Sequence, residues 1–201
     1  QSALDPCLFI RFPGTPAIQM IYIYVDDLLI FCKSLNVMEA LKQQIKERFA
    51  IKDLGPVKRY LGVWIEKQDD GNKLFLHQTD YCKEVIERFK NWFCMYKTPK
   101  KTPLPSSFHD TMGKEETQPM EGEANFDWIA FFPYLQIIGA LLYLAMNTRP
   151  DIMYAVCYLA RYSKTKPFAA CRGVCHLLSY LSGTVDQGIT YTRNRGTTSD
   201  L

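Results

Sequence analysis

The sequence predicts an α+β chain in which antiparallel hairpins come first and helices follow. Three observations carry this. The carboxylate pair Asp26-Asp27 separates two apolar, β-prone runs, residues 18–23 and 28–32, as a turn separates the arms of a hairpin. A second turn signal, Asp69-Asp70-Gly71-Asn72, separates residues 60–67 from 73–77 in the same way. From residue 134 onward, apolar residues recur instead at helical spacing.

The first hairpin is the most informative. Successive residues of a straight strand face opposite sides of the sheet. Adjacent Asp side chains therefore converge on one site only where the backbone bends between strands. Hard divalent cations prefer carboxylate oxygens, and a carboxylate pair in this position points to phosphoryl transfer assisted by two metals. Asp also favours turns for local reasons, so an ordinary turn explains the tetrapeptide Tyr24-Val25-Asp26-Asp27 equally well when it is taken alone. The arms shift that balance. Met20-Ile21-Tyr22-Ile23 and Leu28-Leu29-Ile30-Phe31 are almost wholly apolar, which predicts strands in or near a core and a rigid support for the pair.

Beyond the hairpin, Asn36 and Glu39 have the spacing of a capping box, with Asn in place of Ser or Thr. Val37, Met38, Leu41, Ile45 and Phe49 mark one face of the helix that follows. Residues 60–67 read as a strand, paired with 73–77. Thr79 reads as the cap of a helix whose apolar face carries Tyr81, Val85, Ile86 and Phe89. Across 96–127 periodicity disappears, and Pro99, Pro103, Pro105 and Pro119 mix with Lys, Glu, Ser and Thr, the composition of a linker or long surface loop. Residues 134–147 form an apolar helix that stops at Arg149-Pro150-Asp151. Pro suits the first turn of a new helix, and Asp complements its N-terminal dipole. Ile152, Ala155, Val156, Leu159 and Tyr162 form the inner face of that helix. A third helix, about 169–182, carries Val174, Leu177, Leu178 and Leu181, and Gly183 and Gly188 frame a short final strand at 189–192.

Composition bounds the rest. The 201 residues, 47% of them hydrophobic and 22% charged, suit one large domain or two small ones with a sizeable core. A net charge of +3 does not by itself indicate nucleic acid. Lys97, Lys100 and Lys101 cluster, as do Lys42, Lys46 and Arg48, and a solvated helix face explains the latter group as well as a phosphate-binding strip does. Seven cysteines with no paired framework predict a reducing, intracellular setting. Cys171 and Cys175 share a helix face beside His176, but zinc needs four ligands and no second pair stands out, so these read as buried or incidental cysteines. The start of the chain lacks the basic and apolar regions of a signal peptide, and the absence of an initiator Met predicts a fragment or processed product. Residues 129–146 approach membrane-spanning length, but Pro133, Gln136 and Gly139 interrupt them, which favours a buried helix.

Several segments, in order, carry a resemblance. They are Asp5-Pro6-Cys7-Leu8-Phe9, Ile23-Tyr24-Val25-Asp26-Asp27-Leu28-Leu29-Ile30, Phe49-Ala50-Ile51-Lys52-Asp53-Leu54-Gly55 and Tyr60-Leu61-Gly62-Val63. Thr102-Pro103-Leu104, Tyr134, Ile138-Gly139, Leu142-Tyr143, Thr148-Arg149-Pro150-Asp151-Ile152, Tyr180-Leu181 and Gly183-Thr184 continue the series. Over nearly the whole chain this set resembles the reverse transcriptase of Ty1/copia-type retrotransposons. The resemblance implies a partial polymerase palm with antiparallel hairpins, followed by thumb-like and connection-like helices. On this pattern 1–77 is partial palm and primer-positioning hairpin, 78–95 a thumb-like helix, and 96–127 a linker or long loop. The remainder, 128–201, is a helical thumb and connection region ending before a ribonuclease H domain.

The same resemblance implies RNA-directed DNA polymerisation with an RNA template and a DNA primer. Asp26 and Asp27 would be catalytic and would bind Mg²⁺, with Mn²⁺ as a substitute. Tyr24 would lie near the primer end and Val25 beside the nucleotide. Tyr60, Leu61 and Gly62 would position the primer, although a plain core hairpin explains them equally well. Lys97, Lys100 and Lys101 would contact phosphates without reading sequence. Arg149-Pro150-Asp151 is a family hallmark that a helix boundary explains at least as well, and it is assigned no catalysis.

The departures bear on activity. The family's other catalytic Asp and its fingers lie upstream of this segment, so the chain alone is expected to be inactive and to need that segment as a partner. Ala170-Cys171 and Cys175-His176 stand where the family often has His-Trp and Lys-Arg, and Ala140 replaces a small polar residue. These changes predict an ageing element copy or a truncated frame. The alternatives are a non-catalytic nucleic-acid-binding or interaction module and a relic without function. The expected location is intracellular: cytoplasmic, in virus-like particles, or nuclear, with no membrane partner.

Overall fold

A strand needs a neighbour for its backbone groups, and in the computed structural model, which describes residues 1–108, 110 and 130–193, the strands find theirs in two separate antiparallel sheets. These belong to two compact units, Gln1–Val57 and Lys58–Leu201. The span 1–77, grouped in the sequence as partial palm plus hairpin, is thereby shared between them.

In the first unit, β1 (Leu8–Arg11), β2 (Gln19–Tyr24) and β3 (Asp27–Cys32) lie in sequence order. β1 had no expectation from the sequence. Its start is fixed by a local device: the Asp5 carboxylate accepts from the Cys7 amide at 2.8 Å, an Asx-type turn. Cys7 then accepts from the Ile23 amide at 2.9 Å. Helix α1 (Leu35–Lys46) is capped by Ser34, whose hydroxyl accepts from the Val37 amide at 3.3 Å. The expected Asn36/Glu39 capping box is thus displaced, because Ser34 already occupies the extended cap position and Glu39 pairs forward with Lys42 at 3.0 Å. Lys42 also reaches Asp53 at 3.0 Å, and Asp53 accepts from the Gly55 amide at 2.9 Å. The amide first and the lysine second hold the Asp53 carboxyl below its ordinary range.

The expectation of a core around the Asp-Asp hairpin needs correction. No residue of β2 or β3 is buried, and Leu41 is the one buried hydrophobic of the unit. Phe9, Ile10, Leu28 and Phe31 remain more than a third exposed. Three strands and one helix offer one covering layer, whereas these strands are apolar on both faces.

The second unit holds β4 (Arg59–Tyr60), β5 (Val63–Gln68), β6 (Lys73–His77) and, returning from the far end, β7 (Gly188–Thr192), paired in that order. The expected single strand over 60–67 is broken: Leu61-Gly62 makes a turn, and Tyr60 pairs with Val63. Against these strands stand α2 (Thr79–Phe93), α3 (Tyr134–Asn147), a 3-10 turn at Pro150–Ile152, α4 (Met153–Ala160) and α5 (Phe168–Ser182). Thr79 begins α2 but does not cap it. Gln78 precedes the helix without a side-chain cap, and the Thr79 hydroxyl instead meets His77 Nδ1 at 2.7 Å.

The core sits among these helices. Val85, Phe89, Ile137, Leu141, Leu144, Leu159, Leu177 and Leu178 are all at most 3% exposed. Helix α5 has eleven of its fifteen residues buried, the mark of a central element covered on nearly all sides. Cys171 and Cys175 lie within it, and their thiols donate to the carbonyls of Lys166 and Trp92. The described part of the expected linker or long surface loop, 96–108, is irregular and largely exposed but touches the helices at particular points. The Thr102 carbonyl accepts from His176 Nε2 at 3.0 Å, and Phe108 is 5% exposed, close against Gly173. Burying such a ring stabilises by about 2–3 kcal/mol, enough to strap the segment to α5. The rest of that expected linker, 109 and 111–127, lies outside the described residues.

The stop-and-restart at Arg149-Pro150-Asp151 has a buried centre. Pro150 opens the 3-10 turn with Asp151 in its first turn. Arg149, 1% exposed, binds both Asp151 oxygens at 2.9 and 2.8 Å and the Thr184 carbonyl at 2.7 Å. Tyr180 donates to the same carboxylate at 2.9 Å. This cluster joins the α3–α4 junction to the end of α5. Among the described residues no helix is long and apolar enough to cross a membrane.

Candidate metal and nucleic-acid site

The first hairpin closes tightly. Tyr24 is directly opposite Asp27, so Val25-Asp26 forms a two-residue loop. Val25 has φ of 53° and Asp26 is not in that region, the pattern of a type II′ turn, whose first position Gly normally fills. A β-branched residue there is a true conformational outlier. Such strain persists where surroundings impose it, and it clusters at functional positions.

Asp26 projects from the loop and Asp27 opens β3, both exposed. Residues directly opposite in an antiparallel pair share a face, so Asp27 lies on the face of Tyr24 and, two residues back, Tyr22. Among the described residues neither carboxylate has a hydrogen-bond or ion-pair partner. The Asp5 charge, followed by burial, raises the Tyr22 phenol above its ordinary value, so this face is electronegative beyond Asp27 alone. Exposed carboxylates with unused oxygens suit a hard divalent cation, which keeps several waters and takes few protein ligands. No group of three or more Asp, Glu, His or Cys among the described residues is arranged to hold a metal. The hairpin thus offers a pair of ligands and no third.

The other expected site residues lie in the second unit. Tyr60 is half-buried, Gly62 is half-buried, and Leu61 is 39% exposed at the tip of the β4–β5 turn. Lys58 and Arg59 flank that tip and are exposed. The three lysines after α2 differ. Lys97 and Lys101 are exposed, whereas Lys100 folds over the Tyr96 ring at 4.5 Å and lines a cleft of about 510 Å³ with Arg172 and His176. Burial first, opposed by the Thr102 carbonyl and aided by the Lys100 charge, lowers the His176 pKa.

Two features escaped sequence reading. Tyr143 donates to the Leu61 carbonyl at 2.5 Å, and Trp64 donates from its indole to Asp80 at 2.8 Å. Both link residues far apart in sequence, and no local pattern marks them.

The chain belongs to the reverse transcriptase (RNA-dependent DNA polymerase) family, whose sequence profile matches residues 1–104. Within that family it is a copia-type reverse-transcriptase region. It is 32% identical over 181 residues to the retrovirus-related Pol polyprotein from transposon TNT 1-94 of Nicotiana tabacum, covering 90% of this chain and 13% of the polyprotein. It is 29% identical to the Pol polyprotein from transposon RE1 of Arabidopsis thaliana, over 94% of this chain and 12% of that protein. An uncharacterized mitochondrial protein of Arabidopsis thaliana is 31% identical over 86% of this chain and 65% of its own length. The chain therefore spans about an eighth of the two polyproteins. No solved structure matches at a significant level. Reverse transcriptases generally use divalent metals and act on nucleic acid.

Proposed function

We propose that the chain is the later part of the palm, with thumb-like helices, of an RNA-directed DNA polymerase. The observation that carries this is the Tyr24–Asp27 turn: two carboxylates free of protein partners on a tight, strained loop. Asp26 and Asp27 would hold Mg²⁺, or Mn²⁺ in its place, through their oxygens. Held there, divalent ions would supply Lewis acidity for the primer 3′-hydroxyl and positive charge for the triphosphate and the pyrophosphate that leaves.

The chain's own residues bind and orient. Tyr24, 48% exposed on the face of Asp27, would lie against the primer end, and Val25 would bound the nucleotide. Tyr60, Leu61 and Gly62 would carry the primer strand. Lys97 and Lys101 would meet phosphates of the RNA template–DNA primer duplex, with Lys100 a weaker contributor because its ammonium rests on Tyr96. The third carboxylate and the fingers would come from an upstream palm segment of the polyprotein. The exposed Phe9, Ile10, Leu28 and Phe31 support that partner, since apolar strand faces require covering. A ribonuclease H domain would follow downstream, and the expected setting is cytoplasmic, particle-associated or nuclear.

Mn²⁺ titration of the isotope-labelled chain tests the metal role. Paramagnetic broadening should concentrate at residues 24–28 and disappear in Asp26→Asn and in Asp27→Asn. Broadening that persists in both variants would remove the site. Primer extension with Mg²⁺ by the 201 residues alone should be absent, and robust extension would overturn the dependence on an upstream segment. The exposed Lys97 and Lys101 favour a second reading, a non-catalytic nucleic-acid-binding module. Salt-dependent duplex binding without any metal response would support that reading over the first.

A further inference from the structure

A side chain from outside the β4–β5 hairpin reaches its tip. Leu61 and Gly62 have φ of 45° and 77°, both positive, as in a type I′ turn. Gly adopts this freely. Leu does not, because an L side chain crowds the adjoining carbonyl there, and Asn or Asp is the usual occupant of the first position. The restraint comes from Tyr143 on α3, whose hydroxyl donates to the Leu61 carbonyl at 2.5 Å across 82 residues of sequence. A Cβ on Gly62 would lie 3.2 Å from the same oxygen, so a bare residue at the second position lets the phenol come close. The ring is placed independently of its hydroxyl. It meets the Tyr81 ring of α2 edge-on, with centroids 5.1 Å apart and planes at 85°.

We propose that Tyr143 is a positioning residue for duplex binding. Its hydroxyl fixes the Leu61-Gly62 peptide so that the tip, with Lys58 and Arg59 beside it, meets the sugar-phosphate backbone of a primer–template duplex. This rests on the reading of the hairpin given above and names the group that keeps it in place. With its carbonyl captured, the tip peptide cannot rotate. Once released, Leu61 leaves the left-handed region and the tip changes direction.

Tyr143→Phe removes the hydroxyl and keeps the ring on Tyr81. In the full chain, two quantities are compared between the parent and this variant: the Kd for a labelled RNA–DNA hybrid at fixed low salt, and hydrogen exchange of the amides at 61–63. The expected result is a thermal midpoint lowered by no more than about 3 °C, faster exchange at the tip, and affinity weaker by roughly fivefold, the ratio one net hydrogen bond represents. Unchanged exchange overturns the restraint. Faster exchange with unchanged affinity overturns the positioning role. The exposed pair Lys58→Ala/Arg59→Ala separates the two levels. If it weakens binding while Tyr143→Phe does not, only the role of Tyr143 fails. If neither affects binding, the hairpin reading fails with it.

Discussion

Replacing Arg149 by Met tests whether the buried cluster after α3 is held by charge. The substitution keeps much of the side-chain volume and removes the guanidinium. Five hydrogen bonds go with it: two to Asp151 and one each to the Thr184 carbonyl, the Thr184 hydroxyl and the Gln187 side chain. Breaking a buried pair from one side costs about 3–5 kcal/mol, because the remaining charge is stranded. Asp151 keeps 33% of its side chain accessible and retains the Tyr180 hydroxyl, so partial hydration places the expected cost near the lower figure, about 3 kcal/mol. At roughly 3 °C per kcal/mol for a domain of this size, the second unit should melt about 9 °C earlier. Burial alone would raise the Asp151 carboxyl, but the Arg149 hydrogen bonds and charge, helped by Tyr180, reverse this and hold it below its ordinary value. A depressed carboxylate contributes stability above its unfolded pKa and loses it as pH falls through the folded one. The gap between parent and Arg149→Met should therefore narrow in acid. Calorimetry of both chains at neutral pH and at about pH 3, below the unfolded Asp value, measures this. The double variant Arg149→Met/Asp151→Leu should recover part of the loss, since it strands no charge. A single variant that melts with the parent, or a double variant that melts below the single, would refute the charge-based account.

Two further outcomes follow from packing. Gly188→Ala places a Cβ 2.2 Å from the Leu76 carbonyl oxygen and 2.9 Å from His77 Cβ; it should destabilise the second unit by about 1–3 kcal/mol, the range for overpacking, and an unchanged thermal midpoint would contradict the β6–β7 register. Burial pushes the thiols of Cys82 and Cys171 up to about 11 and about 12, and Cys175 further still. A maleimide at neutral pH should therefore label the exposed Cys7, Cys94 and Cys157 and spare these three until denaturant is added, as read by mass spectrometry; early labelling of Cys175 would mean that α5 is not the central helix.

Much of the second unit was legible in the sequence because its signals are local. Residues 73–77 and 134–147 have the limits expected from periodicity, since a turn or a proline bounds each one. The errors fall where the deciding partner is distant or where two local rules compete. Ser34 takes the cap from Asn36 because it lies one step outside the first helical turn. Leu61 breaks an apparent strand because the Tyr143 hydroxyl, far along the chain, stabilises a turn that leucine disfavours. The proline-rich stretch reads as a linker or long surface loop by composition, and within its described part Phe108 packs against Gly173, a contact no periodicity encodes. At the Asp-Asp hairpin the carboxylates and bend were legible, while the bareness of the arms was not. Apolar alternation states which residues seek cover, and not whether this segment supplies it.

The return of β7 to the edge of β6 sets an order of events during synthesis. Lys73–His77 leaves the ribosome early, and its ladder partner Gly188–Thr192 emerges only after all the described helices of the unit. Until then β6 presents unpaired backbone groups, the kind of edge that recruits other strands, and a closing contact between such distant segments forms slowly. A nascent or truncated product ending before residue 188 would keep that edge open for good. Continued elongation past this point is itself what closes the β6 edge, and the release of premature ends should be felt first as aggregation through β6.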